Sequence, residues 1–208
     1  MFLEPHMQEK RCGWLEIVCG SMFSGKTEEL IRRLRRAKIA NQKVIIFKPQ
    51  LDTRYAETSI VSHDSNAIEA KPISNSIELL EFAGDYEVIG VDEAQFFDME
   101  LTDVCQKLAL DGKRVIIAGL DMDYLGQPFG PIPNLLSVAD YITKVHAICP
   151  HCGSLATHSY RMETTNQNGE LVVLGEKDIY EPRCRSCYAK GDSLEMANKI
   201  TEATSAEH

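Results

Sequence analysis

Apolar runs alternate along this chain with segments whose apolar residues recur at helical spacing. Trp14–Cys19 (W-L-E-I-V-C) reads as a short buried strand, and a turn rich in glycine and serine follows it. From Thr27 to about Ala40 the spacing becomes helical, with Leu30, Leu34 and Ala37 on one face. Glu28 and Glu29 stand in the first turn and Arg32, Arg33, Arg35, Arg36 and Lys38 further on, an order that complements the helix dipole. A run of arginines such as Arg32–Arg36 is read as the solvated face of that amphipathic helix.

Lys43–Lys48 (K-V-I-I-F-K) predicts a second strand, stopped at Pro49, and the polar stretch Asp52–Asp64 predicts a loop. Ser74 is expected to cap a helix through Phe82. Tyr86–Val91 (Y-E-V-I-G-V) predicts a third strand, with Asp92 and Glu93 at its end. A helix is expected from Met99 to Leu110, closed by Asp111 and Gly112. Arg114–Gly119 gives a fourth strand and Tyr141–Ile148 a fifth. Strands alternating with helices imply right-handed crossovers and a mostly parallel α/β sheet flanked by helices. Between the fourth and fifth strands, Leu120–Pro133 is rich in glycine and proline, and such an excursion beyond a strand's carboxyl end is where α/β sheets build sites. After Ile148 the character changes to polar, β-leaning sequence bracketed by cysteine pairs. The expected organisation is a nucleotide-binding domain over 13–148, a small metal-binding domain over 149–190 and a tail over 191–208.

Composition narrows this picture. The chain has 208 residues, 44% of them hydrophobic, which suits one globular domain with a small appended module. No apolar run approaches the roughly 18 residues of a membrane span, and 1–10 lack the pattern of a signal peptide, so a cytoplasmic setting is expected. A net charge of −9 argues against nucleic acid as the main partner.

The strongest chemical signal is Gly20–Thr27, G-S-M-F-S-G-K-T, a complete phosphate-binding loop of the form G-x-x-x-x-G-K-[ST]. Gly20 and Gly25 let the backbone curl until successive N–H groups face phosphate oxygens. Lys26 offers a cation to the β- and γ-phosphates, the Thr27 hydroxyl suits Mg²⁺, and the following helix adds its positive end. The motif lies between a predicted strand and a predicted helix, the context it requires. Asp92, at the tip of an apolar strand, is placed to hold Mg²⁺ through water, and Glu93 beside it to face an acceptor hydroxyl or water.

Seven cysteines include two C-x-x-C pairs, Cys149 with Cys152 and Cys184 with Cys187. Four thiolates at this spacing close a tetrahedral Zn²⁺ shell with no open position, so a structural zinc site is expected. His151 and His146 stand nearby as substitute donors. Cys12, Cys19 and Cys105 are read as small core or surface residues.

Taken in order, G-S-M-F-S-G-K-T, D-T-R-Y (Asp52–Tyr55), D-E-A-Q-F-F (Asp92–Phe97), G-L-D, Q-P-F-G (Gln127–Gly130) and the two cysteine pairs closely resemble the zinc-containing thymidine kinases, whose core is similar to RecA-type ATPases. The resemblance covers about 13–188. It implies ATP-dependent transfer of a γ-phosphate to the 5′-hydroxyl of thymidine, with deoxyuridine as a further acceptor. It implies that Glu93 is the base and that Gly20, Ser21, Met22, Phe23, Ser24, Gly25, Lys26 and Thr27, with Asp92, Glu93, Ala94 and Gln95, contact ATP and its Mg²⁺. It implies that Met22, Phe96, Leu120, Tyr124 and Phe129 enclose the base, joined by Leu171, Val172, Val173, Leu174, Gly175 and Tyr180 from the loop between the cysteine pairs. A homotetramer and feedback inhibition by thymidine triphosphate are also implied. Tyr124 stands where many relatives have phenylalanine, which keeps an aromatic platform and adds a hydroxyl. Two other classes compete. A nucleic-acid-stimulated ATPase would share D-E-A-Q, but the charge and a length too short for two motor lobes oppose it. A non-catalytic zinc-ribbon module would leave the phosphate loop unexplained.

Overall fold

A computed structural model describes residues 12–50, 70–162 and 179–191. The chain forms two compact units. The first is built from 12–19, 26–50, 70–121 and 128–144, the second from 20–25, 122–127, 145–162 and 179–191.

The first unit holds six strands in one sheet: β1 (Trp14–Cys19), β2 (Val44–Pro49), β3 (Ala70–Ile73), β4 (Val88–Val91), β5 (Arg114–Gly119) and β6 (Tyr141–Lys144). Their order is β3-β2-β4-β5-β1-β6, and every neighbouring pair is parallel. This is the expected α/β class. Parallel strands buried on both faces read as continuous apolar runs, as V-I-G-V and R-V-I-I-A-G do here.

The helices of this unit are α1 (Lys26–Ile39), α2 (Glu78–Ala83), α3 (Leu101–Leu110) and α4 (Ile132–Val138). Side chains alternate between the faces of β1. Leu15 and Ile17 enter a core with Leu101, Cys105 and Leu108 of α3 and Ile132 and Leu135 of α4. Glu16 points the other way and meets Arg33 of α1. Gly90 of β4 lets α1 sit close, since a Cβ there would lie 2.8 Å from Leu34 Cδ1. No helix among the described residues is long and apolar enough to cross a membrane.

Several expectations need correction. Six strands share the sheet rather than five: β3 (A-K-P-I) carries no apolar run, and its pairing with β2 makes it a strand. The helix after it begins at Glu78, and Ser74 does not cap it. Asn75 Oδ1 accepts the Glu78 amide (3.2 Å), while Ser74 Oγ donates to Gln50. The single strand expected over Tyr141–Ile148 is two, because the chain leaves the large sheet after Lys144 and pairs elsewhere from Ala147. The glycine- and proline-rich excursion runs into α4, where Pro133 lies in the first turn and needs no intrahelical N–H partner. Arg33 is not on a solvated face; it is buried. The loop expected over Asp52–Asp64 and the tail beyond Gly191 lie outside the described residues.

In the second unit, β7 (Ala147–Ile148) pairs antiparallel with β8 (Leu155–Ala156), and β9 (His158–Arg161) with β10 (Tyr180–Arg183). A helical turn spans 185–191. Its small core is Ala147, Cys149 and Ala156, with Cys184 and Cys187 packed against it.

Candidate active site and metal centre

The residues 20–25 adopt the backbone a phosphate loop needs. Gly20 (φ 150°) and Gly25 (φ 82°) take conformations that L side chains rarely adopt, and Phe23 is left-handed at φ 62°. A Cβ on Gly20 would also lie 2.2 Å from the Val145 carbonyl oxygen. Ser24 Oγ donates to the Ser21 carbonyl at 2.7 Å, and the Met22 amide donates to Ser159 Oγ at 3.0 Å. Lys26 and Thr27 follow directly as the first residues of α1.

Within the first unit, the Thr27 hydroxyl donates to the Asp92 carboxylate, 3.2 Å from each oxygen. Asp92 is buried, and the Glu93 amide donates back to Asp92 Oδ1 at 3.0 Å. Burial, helped by the neighbouring Glu93 charge, pushes the Asp92 carboxyl up to about 7. Burial lowers the Lys26 ammonium from its ordinary value, opposed by Glu93, Asp92 and Asp121. One amine and a buried carboxyl thus lie in each other's field.

Glu93 is exposed and left-handed (φ 51°, ψ 39°), so the chain turns sharply as β4 ends and the two acids diverge. Gln95 Nε2 donates to Glu93 Oε2 at 2.7 Å, and Gln95 Oε1 accepts the Leu120 amide at 2.9 Å. Ala94 is buried in the 3₁₀ turn Ala94–Phe96. Phe96 meets Phe129 edge to face with centroids 5.5 Å apart. Phe96, Leu120 and Phe129, assigned to the base by resemblance, therefore share the first unit with Glu93. Met22, Tyr124 and Tyr180 belong to the second unit. There the Tyr124 carbonyl accepts the Tyr188 hydroxyl at 2.8 Å, Arg161 lies over the Tyr124 ring, and Tyr180 is buried in β10. Leu171, Val172, Val173, Leu174 and Gly175, like Asp52–Tyr55, lie outside the described residues.

Asp121 escaped notice in the sequence beyond its place in G-L-D. It forms an ion pair with Lys144 and is the third acid acting on Lys26. Its signal was position: an acid two residues past the end of a strand that neighbours β1. Cys19 sits nearby, and burial pushes its thiol up to about 11, which keeps it unreactive.

The four cysteine sulfurs of the two pairs lie within 4.8 Å of one another, and Cys152 Sγ is 3.5 Å from Cys184 Sγ. Zn–S bonds of about 2.3 Å in a tetrahedron place sulfurs roughly 3.8 Å apart, so the arrangement fits a structural zinc ion. The knuckle geometry agrees: Gly153 is left-handed at φ 73°, its amide donates to the Cys149 carbonyl at 2.9 Å, and the Cys187 amide points at Cys184 Sγ at 3.4 Å. His151 is engaged elsewhere, 2.8 Å from Glu181. No disulfide joins these cysteines in the structure.

A parallel α/β sheet whose first strand leads into this loop, with a carboxylate from a strand tip on the loop's threonine, defines a P-loop phosphotransferase. A family model described as thymidine kinase matches residues 13–188. A thymidine kinase of Rhodothermus sp. (strain ITI 518) is 59% identical over 85% of this chain and 81% of its own length. One from Bacteroides fragilis (strain YCH46) is 58% identical, covering 91% and 94%, and one from Porphyromonas gingivalis (strain W83) 54%, covering 94% of each. The chain belongs to the thymidine kinase family.

Proposed function

We propose that this enzyme transfers the γ-phosphate of ATP to the 5′-hydroxyl of thymidine, giving thymidine monophosphate and ADP in nucleotide salvage. The observation that carries the reading is Glu93: an exposed carboxylate at the tip of β4, next to the Thr27–Asp92 pair and in the field of Lys26. That set separates the two tasks of phosphoryl transfer. Lys26 and the N–H groups of the loop take the triphosphate, while Glu93 receives the proton of the attacking hydroxyl. Thr27, directly, and Asp92, through water, would hold Mg²⁺, which when bound neutralises charge on the transferring phosphate. In this reading the main chain of the Asp92–Gln95 turn borders the nucleotide, with the Gln95 side chain enclosed by protein, and Phe96, Leu120 and Phe129 offer apolar surface to the pyrimidine. Zinc on Cys149, Cys152, Cys184 and Cys187 would have a structural role, with no open position for chemistry. Homotetrameric assembly, inhibition by thymidine triphosphate and a cytoplasmic setting complete the reading. The first two rest on resemblance, the third on the sequence's lack of a long apolar run.

The test is a nucleoside panel with ATP and Mg²⁺, following phosphorylated product, with deoxyuridine and single-stranded DNA as further arms. Thymidine should be phosphorylated fastest. ATP hydrolysis stimulated by DNA and indifferent to thymidine would replace this reading with a nucleic-acid-dependent ATPase.

A further inference from the structure

Both ends of the Gln95 side chain are used. Its amide nitrogen donates to Glu93 and its oxygen accepts from the Leu120 main chain. Chemistry fixes this orientation: turned over, the amide would set N–H against N–H at Leu120 and oxygen against a carboxylate at Glu93. The residue is 2% exposed, so the side chain that resemblance assigns to ATP is enclosed by protein. Two glycines make room for it. A Cβ on Gly119 would lie 2.9 Å from Gln95 Oε1, and one on Gly130 would lie 2.2 Å from the Gln95 carbonyl oxygen. Gly130 directly follows Phe129, so the same residue also seats that ring's backbone.

Glu93 needs such support. It is an exposed, long side chain on a left-handed backbone, which leaves its carboxylate free to sample several rotamers unless something holds it. The bond from Gln95 engages Oε2 and leaves Oε1 to accept a proton.

We infer that Gln95 is a positioning residue: it fixes the Glu93 carboxylate in one rotamer and ties it to the main chain at Leu120, where β5 ends. The inference rests on Glu93 being the base. In the transfer step, the acceptor O–H bond breaks as its oxygen bonds to the γ-phosphorus, the proton passes to Glu93 Oε1, and ADP leaves with the electrons of the broken P–O bond. An unheld carboxylate would occupy the productive geometry for a fraction of the time, which lowers kcat and leaves nucleotide binding intact.

The experiment compares wild type, Gln95→Met, Gln95→Glu and Glu93→Gln by steady-state kinetics with ATP and thymidine, from about pH 5.5 to 9. Gln95→Met should lower kcat by about 10- to 100-fold while keeping KM for ATP within about twofold, a split that a general loss of folded protein would not give. Gln95→Glu keeps the volume and the acceptor for Leu120 and loses the donor whenever its carboxyl is ionised, as at the alkaline end of the range. It should show the same loss of kcat, and it carries the test if thermal unfolding shows that Gln95→Met does not fold. Wild-type kcat in Gln95→Glu, or a loss confined to KM for ATP, would overturn the positioning role. Glu93→Gln separates the two ideas. If it keeps wild-type kcat, the base assignment fails and the inference falls with it. If it is inactive while the Gln95 variants are unimpaired, only the positioning role fails.

Discussion

Arg33 of α1 and Glu16 of β1 form an ion pair 2.8 Å long, with both side chains closed off from water. Glu16 also accepts from Arg114 of β5 at 2.6 Å and from the Trp14 indole at 2.7 Å. Arg33 donates further to Glu29 at 2.8 Å and to Thr143 of β6 at 2.9 Å. The strand that leads into the phosphate loop and the helix that leaves it are thus joined by charge on α1's inner face. A buried pair of this kind adds little over a well-packed apolar one, but breaking it leaves a charge without its full set of partners.

Arg33→Met should therefore destabilise the nucleotide-free protein by about 3 kcal/mol, or roughly 6–12 °C in Tm. Arg33→Lys should recover only part of this, because one ammonium cannot replace a fork that serves Glu16, Glu29 and Thr143 together. Thermal unfolding by circular dichroism measures both. A shift under about 2 °C for Arg33→Met would show that Arg114 and Trp14 satisfy Glu16 without it.

Asp92 predicts a pH dependence in the opposite sense to an ordinary ion-paired carboxylate. Burial, with Glu93 beside it, raises the group to about 7 in the folded state. Unfolded, it titrates near the usual carboxylate value, about 4. Between those values the native state holds more protons than the unfolded one, so stability falls as pH rises through that window. Asp92→Asn should flatten this part of the nucleotide-free profile and raise Tm at pH 7.5 by at least about 3 °C, while impairing activity. Parallel profiles for wild type and variant between about pH 4 and 7 would rule out Asp92 as the source.

The parts that were legible in the sequence are those that local pattern decides. β1, β5 and α1 came from apolar runs and helical spacing, and the loop with Thr27 and Asp92 came from a motif whose spacing is its geometry. What tertiary pairing decides was not legible. A-K-P-I becomes β3 only because β2 accepts it as a neighbour, and Y-I-T-K-V-H-A-I divides where the chain changes sheets without a change in its alternation. Arg33 looked like its neighbours in the arginine run, yet it turns inward because Glu16 interrupts the apolar run of β1 at the right height. The two-ended bonding of Gln95 depends on Leu120, twenty-five positions away in sequence. No spacing rule carries that.

Lys26→Ala tests the cation of the loop. Burial and four nearby acids, Glu93, Asp92, Asp121 and Glu28, act on the Lys26 ammonium, and the proposed reaction gives it an anionic ligand. Its removal should lower kcat/KM by about 10²- to 10³-fold, with most of the loss in kcat, because charge on the transferring phosphate grows in the transition state. An unchanged kcat/KM would displace Lys26 from the phosphates.

Cys184→Ser tests the metal centre and what depends on it. Around the cysteine pairs the described residues pack only a small apolar cluster, Ala147, Cys149 and Ala156 backed by Cys184 and Cys187. A metal bound by these thiolates supplies folding free energy that so small a core lacks. The variant should lose its bound zinc, measured by elemental analysis against protein concentration, and its thymidine affinity should weaken with it. Hydrogen exchange should rise by at least about tenfold over 147–161 and 180–191, while β1, β4 and β5 keep their protection, because local stability differs between units. Zinc content equal to wild type in this variant would break the assignment of Cys184 as a ligand. Lost zinc with unchanged exchange would show instead that the second unit folds without its metal.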